Sequence, residues 1–138
     1  MVILDTNVVS ALMRPRDNLN IVKWLDRLPR NEIWTTAVAI LEIRFGLLIM
    51  SDGKKRSALT MQLEALLKTP LLGRVAPLDH AAAEQAASVL ALRRAAGRQV
   101  ETADAQIAGI ALSRGASLAT RNVRDFEGIG LGLVDPWS

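Results

Sequence analysis

Five positions in this 138-residue chain place oxygen donors where apolar sequence gives way: Asp5, Glu42, Asp104, Asn122 and Asp125. Asp5 ends the run Met1-Val2-Ile3-Leu4 and is followed by Thr6 and Asn7. Glu42 stands inside the apolar stretch Ala37–Met50, with Val38, Ala39, Phe45 and Gly46 three and four residues away and so on its own helical face. Asp104 falls in the first turn of an expected helix, on the side that carries Ile107 and Ala108, with Glu101 three residues before it. Asn122 and Asp125 belong to Thr120–Asp125, which gathers a hydroxyl, two arginines, an amide and a carboxylate. A carboxylate on an apolar face is costly to bury unless it is paired or bound to metal. Several carboxylates together repel one another unless a cation neutralises them. Oxygen donors in a chain with no cysteine and one histidine select hard ions, Mg²⁺ or Mn²⁺. Such an ion activates water and stabilises charge on a phosphoryl oxygen. Each residue also has a simpler explanation: helix capping for Asp5, the helix dipole for Asp104, an arginine ion pair for Glu42. Capping accounts for Asp5 alone and leaves the other acids unexplained.

The elements that must hold these residues alternate along the chain. Residues 1–4 read as a buried strand, because a short apolar run is closed abruptly by polar residues. A short helix over Val8–Met13 is stopped at Arg14-Pro15. A helix over Asn18–Leu28 follows, with Leu19, Val22 and Leu25 on one face and Asn18 as its cap. Glu32–Thr36 is rich in strand formers. The stretch Ala37–Met50 is apolar nearly all round, a pattern that predicts burial. Lys54–Leu67 is an amphipathic helix striped by Leu59, Leu63, Leu66 and Leu67. Arg74–Leu78 is a third strand, placed near an edge by Pro77. Asp79 caps an Ala-rich helix that reaches Ala96 and Gly97, and His80 in its first turn reads as a surface residue. Thr102–Ser113, capped by Thr102, is the next helix, followed by strands at Ala116–Ala119 and Leu131–Val134. Strands alternating with helices predict an α/β fold with a parallel sheet and right-handed crossovers. In such sheets ligands bind at the carboxyl ends of the strands, where Asp5 and Thr120 fall.

The bulk properties narrow the classes. The length predicts a single domain over residues 1–138 with a proper core. Without cysteine there are no disulfides or thiolate metal sites, and one histidine cannot build a His-rich zinc site. No secretion signal is evident, and the longest apolar stretch carries Glu42 and Arg44 and is too short to span a bilayer. A cytoplasmic location is expected. The net charge of +3 is compatible with a nucleic-acid partner, with basic clusters at Lys54-Lys55-Arg56, at Arg93-Arg94 with Arg98, and at Arg114, Arg121 and Arg124. Each cluster reads equally as a solvated face.

The ordered set LDTN at 4–7, AILEIRFG around Glu42, ADAQIAG around Asp104 and ATRNVRDFEG at 119–128 resembles the motifs of PIN-domain ribonucleases. More narrowly it resembles the VapC toxins of bacterial toxin–antitoxin modules, on the FitB-like side. The likeness covers the whole chain, including the closing Val134-Asp135-Pro136-Trp137. It implies a three-layer α/β/α domain with a central parallel sheet, usually a homodimer. It implies an endoribonuclease dependent on Mg²⁺ or Mn²⁺, the toxin of a type II module, that hydrolyses RNA phosphodiesters and is neutralised by a cognate VapB/FitA-like antitoxin. DNA would be met only through that antitoxin, and no membrane is involved. By matching position, Asp5 and Asp104 are the implied core metal ligands and Glu42 the third acid. The fourth acidic position falls on Asn122 or Asp125. Some relatives have Asp where this chain has Asn122, which can coordinate through its carbonyl but adds no charge. Thr6, Asn7 and Thr120 are implied to orient the carboxylates, and Arg121 and Arg124 to hold flanking phosphates.

Other classes make different demands. A phosphatase of the haloacid-dehalogenase type needs a second aspartate two residues after the first, and Asn7 occupies that place. A receiver-like phosphoacceptor wants a lysine after a late strand, where this chain has Thr120-Arg121. A binding module that acts with its antitoxin on promoter DNA, with little or no catalysis, would use the acids to receive an arginine instead of RNA.

Overall fold

The structure, a computed structural model, describes residues 1–138. Five parallel strands, β1 (Val2–Leu4), β2 (Ile33–Thr36), β3 (Val75–Ala76), β4 (Ser117–Ala119) and β5 (Leu133–Val134), form one sheet in the order β3-β2-β1-β4-β5. The chain leaves central β1 for β2 and β3 on one side and returns to β4 and β5 on the other. The order therefore reverses between β1 and β4, the crevice where doubly wound sheets bind ligands. β3 is shorter than its sequence suggests and ends before Pro77, which has no N–H to give to a ladder.

Six helices cover the sheet: α1 (Thr6–Leu12), α2 (Leu19–Asp26), α3 (Ala37–Ile49), α4 (Lys54–Lys68), α5 (His80–Ala95) and α6 (Thr102–Ser113). Consecutive residues of β1 point to opposite faces, as a strand requires. Leu4 packs with Val8, Val9, Leu12, Ile21, Leu25, Ile43, Leu47 and Leu63 of α1–α4. Ile3 packs with Ala82 and Val89 of α5 and with Ala105, Ile107 and Ile110 of α6. The result is the α/β/α layering expected. No helix is long and apolar enough to cross a membrane.

Two readings of helix faces need correction. α3 is not buried all round: Val38, Ala39, Ile43 and Leu47 pack inward, while Leu41, Phe45, Leu48 and Ile49 stand 61–69% exposed. The reason is its position, since α1, α4 and α6 cover one side and no element of this chain covers the other. In α2 the buried residues are Ile21 and Leu25, with Leu19 outside. Caps also differ. Thr36 caps α3 by accepting from Ala39 N at 3.0 Å, and Asp79 caps α5 by accepting from Ala82 N at 2.9 Å. Asn18 instead donates its amide to Arg14 O, and Glu101, not Thr102, precedes α6. His80 is exposed and pairs with Glu84.

The alanines of α5 let α6 approach closely. A Cβ on Gly109 would lie 2.5 Å from Ala82 O and 2.7 Å from Ala86 N, both backbone atoms that cannot swing aside. Overpacking of this kind typically costs about 1–3 kcal/mol. Gly109→Ala should lower the unfolding free energy measured in urea by that amount, and Ala86→Gly introduced with it should restore little, because two of the clashes are with backbone.

Candidate active site

Asp5 follows β1 directly and is 3% exposed. Its backbone N–H donates to Ala119 O at 2.9 Å, so the β1–β4 ladder runs into the residue itself. One carboxylate oxygen accepts from Thr6 N at 2.8 Å, which makes Asp5 the N-cap of α1. The other accepts from the Thr120 hydroxyl at 2.7 Å. Capping and site chemistry are thus two uses of one carboxylate, not alternatives. Thr120, fully buried after β4, also accepts from Asn122 N at 3.0 Å. Asn7 donates at longer range to Asp5 Oδ2 (3.5 Å) and Thr120 Oγ1 (3.4 Å), and accepts from Arg121 N at 3.3 Å.

Glu42 comes to the same end of the sheet on α3. It forms no arginine ion pair; its carboxylate accepts from the Thr6 hydroxyl at 2.7 Å. Thr6 therefore ties both acids, through its N–H to Asp5 and through its hydroxyl to Glu42. Asp104, half-buried in the first turn of α6, completes the group. Burial pushes its carboxyl up to about 6, with repulsion from Asp5, Asp125, Glu101 and Glu42 adding to the shift. Burial also raises Asp5 above the ordinary carboxylate range, and Glu42 and Asp125 push the same way, against the hydrogen bonds from Thr120 and Thr6. No lysine, arginine or histidine forms an ion pair with any of these acids.

The segment after β4 divides the two candidates for the fourth position. Asp125, in the 3₁₀ turn Val123–Phe126, is exposed, and its charge is felt at both Asp5 and Asp104. Asn122 is exposed and reaches the site through its backbone N–H alone. Glu101, left outside the expected set, acts on Asp104 as a further acid. Arg93 was legible only as part of a basic cluster. It is 6% exposed and donates to Asp125 O at 3.1 Å and Glu127 O at 2.6 Å, pinning the turn that carries Asp125. An arginine among alanines three turns from the nearest motif gives little signal of that role. Arg121 and Arg124 are exposed, with the Arg121 guanidinium 5.0 Å above the Trp137 ring.

The donor set fits a hard divalent cation: carboxylate oxygens only, mutually repelling, without a protein counter-charge. No three acid side chains converge closely enough to make a complete cage. That suits Mg²⁺, which keeps several waters and takes one or two carboxylates. Asp5, Asp104, Glu42 and Asp125 are the residues that would hold such an ion.

The PIN domain model matches residues 2–130. The plasmid stability protein StbB of Pseudomonas syringae pv. tomato is 38% identical, over 99% of this chain and 99% of its own. The VapC ribonuclease Y4jK of Sinorhizobium fredii is 34% identical, over 99% and 98%. A solved structure of FitAB bound to an IR36 DNA fragment superposes with a TM-score of 0.88 at 30% identity, covering 100% of this chain and 96% of that one. This chain belongs to the PIN domain family.

The raised proton affinity of Asp104 has a definite consequence for stability. The folded carboxyl holds its proton up to about pH 6 and the unfolded one only to the ordinary aspartate value of 3.8, so its ionisation weakens the fold as pH rises through that window. In EDTA at pH 8, Asp104→Asn should melt about 3 °C above wild type, and the difference should vanish below pH 4. Mn²⁺ should raise the melting temperature of wild type and leave that of Asp104→Asn unchanged.

Proposed function

We propose that this protein is a Mg²⁺- or Mn²⁺-dependent endoribonuclease, the toxin of a type II toxin–antitoxin module, which hydrolyses RNA phosphodiesters and is held inactive by a VapB/FitA-like antitoxin. The observation that carries this reading is the set of uncompensated acids around Asp5 and Asp104, at the crevice where the sheet order reverses. The name of the VapC ribonuclease relative supports RNA as substrate, and the FitAB–DNA structure supports a partner that carries the DNA contact.

When bound, the ion supplies charge neutralisation at a phosphoryl oxygen and an acidified water. The chain's own residues do the rest. Asp5 and Asp104 bind, Thr120 and Thr6 fix the Asp5 carboxylate, and the Thr6 hydroxyl sets Glu42 at the rim. Glu42 and Asp125 orient water, and Asn7 steadies the loop after β4. Acids this numerous and this well held favour catalysis over a binding-only role. The cytoplasm, where RNA and antitoxin meet, is the inferred location. The exposed α3 face formed by Leu41, Phe45, Leu48 and Ile49 is the inferred homodimer surface.

Asp5→Asn and Asp104→Asn should each lower RNA cleavage by at least about 100-fold, since ion-derived stabilisation is worth several kcal/mol. Both should relieve growth arrest on expression without antitoxin. Unchanged cleavage in folded variants would remove the assignment. Phe45→Glu with Leu48→Glu should convert a dimer to a monomer in sedimentation.

A further inference from the structure

The turn between α5 and α6 carries a groove that leads away from the acids. A cleft of about 190 Å³ is lined by Asp104, Asp125 and Glu101 together with Arg93 and Arg98. A second cleft of about 780 Å³ is lined by Arg94 and Gly97 and shares Arg98, Gln99, Val100 and Glu101 with the first. The shared residues make the two clefts one groove, acidic at its inner end and basic outward. Local geometry fixes this arrangement. Gly97 has φ +70°, the left-handed conformation that closes a helix, and Arg98 N donates to Arg93 O at 2.9 Å.

The arginines of this region are not equivalent. Arg93 is buried and occupied by the carbonyls of Asp125 and Glu127. Arg98 is exposed and makes one long bond, 3.3 Å, to Arg124 O. It pairs with none of the three carboxylates that line the same cleft. Arg94 is exposed beyond it. Arg121 and Arg124 line neither cleft. An unpaired guanidinium fork set apart from an acid cluster suits a phosphodiester whose neighbouring phosphate lies at the acids.

We propose that the α5–α6 turn is the track for the RNA strand, with Arg98 holding the phosphate next to the scissile one and Arg94 a phosphate further out. This rests on the ribonuclease reading above. The test is cleavage of a fluorescent single-stranded RNA in Mn²⁺ across a salt series, for wild type, Arg98→Ala, Arg98→Lys, Arg94→Ala/Arg98→Ala and Arg121→Ala/Arg124→Ala. Arg98→Ala should raise KM about tenfold with kcat changed less than threefold, and Arg98→Lys should recover part of the loss. The log–log salt dependence of kcat/KM should flatten by about 0.7 for each phosphate contact removed. The Arg121/Arg124 variant should lose less than the Arg94/Arg98 variant in both KM and salt slope. Melting temperatures and Mn²⁺ stabilisation should be unchanged throughout, which separates a lost contact from a lost fold. A wild-type KM and salt slope in the Arg94/Arg98 variant, or losses confined to the Arg121/Arg124 variant, would overturn the track while leaving the ribonuclease intact. A wild-type protein that cleaves no RNA would overturn both.

Discussion

Like charges set side by side without a counter-charge are the constraint around which this structure is arranged. Asp5, Glu42 and Asp104 meet at one end of a parallel sheet, and burial makes their mutual repulsion stronger than it would be in water. The fold tolerates this through hydroxyls and backbone N–H groups. Thr6 and Thr120 donate to the carboxylates, while Thr35 and Thr36 occupy the neighbouring strand end, bonding Leu4 O and Ala39 N. Every one of these donors is neutral. They orient the acids and leave the charge itself for something else to balance.

The rigid backing of the site comes from two different parts of the molecule. Asp5 and Thr120 belong to the sheet, joined by the β1–β4 ladder. Asp104 belongs to the α5–α6 pair, packed so tightly that Gly109 has no room for a methyl group. Arg93 links that pair to the turn bearing Asp125 by two backbone carbonyls. A buried arginine without a carboxylate partner is unusual, and here it serves placement: it fixes an acid's backbone without quenching the acid's charge.

Much of this was legible in the chain. The abrupt change from Leu4 to Asp5 marked a strand end, and the apolar neighbours of Glu42 marked a carboxylate with a special reason to be there. Strand and helix alternation was enough for a parallel α/β sheet, and the four motifs together pointed to the family. What stayed hidden depended on contacts between distant segments. Apolar periodicity shows that a helix has a face to cover but not which elements reach it, so the outer side of α3 read as buried. Arg93 read as solvated because its partners are carbonyls, which leave no trace in residue type. Residue type left Asn122 and Asp125 undivided, and the placement of Asp125 in one cleft with Asp104 depends on the path of the 3₁₀ turn.

The bond between Asp5 and Thr120 spans 115 residues of sequence. Strand β1 leaves the ribosome before β4 and waits while the intervening residues are made. At typical rates of synthesis that wait is on the order of ten seconds. During it Asp5 has neither its hydroxyl donor nor Asp104 beside it. A nascent chain, or one terminated before β4, therefore carries the first acid without the means to use it, and the site arises only once both halves of the sheet have been made.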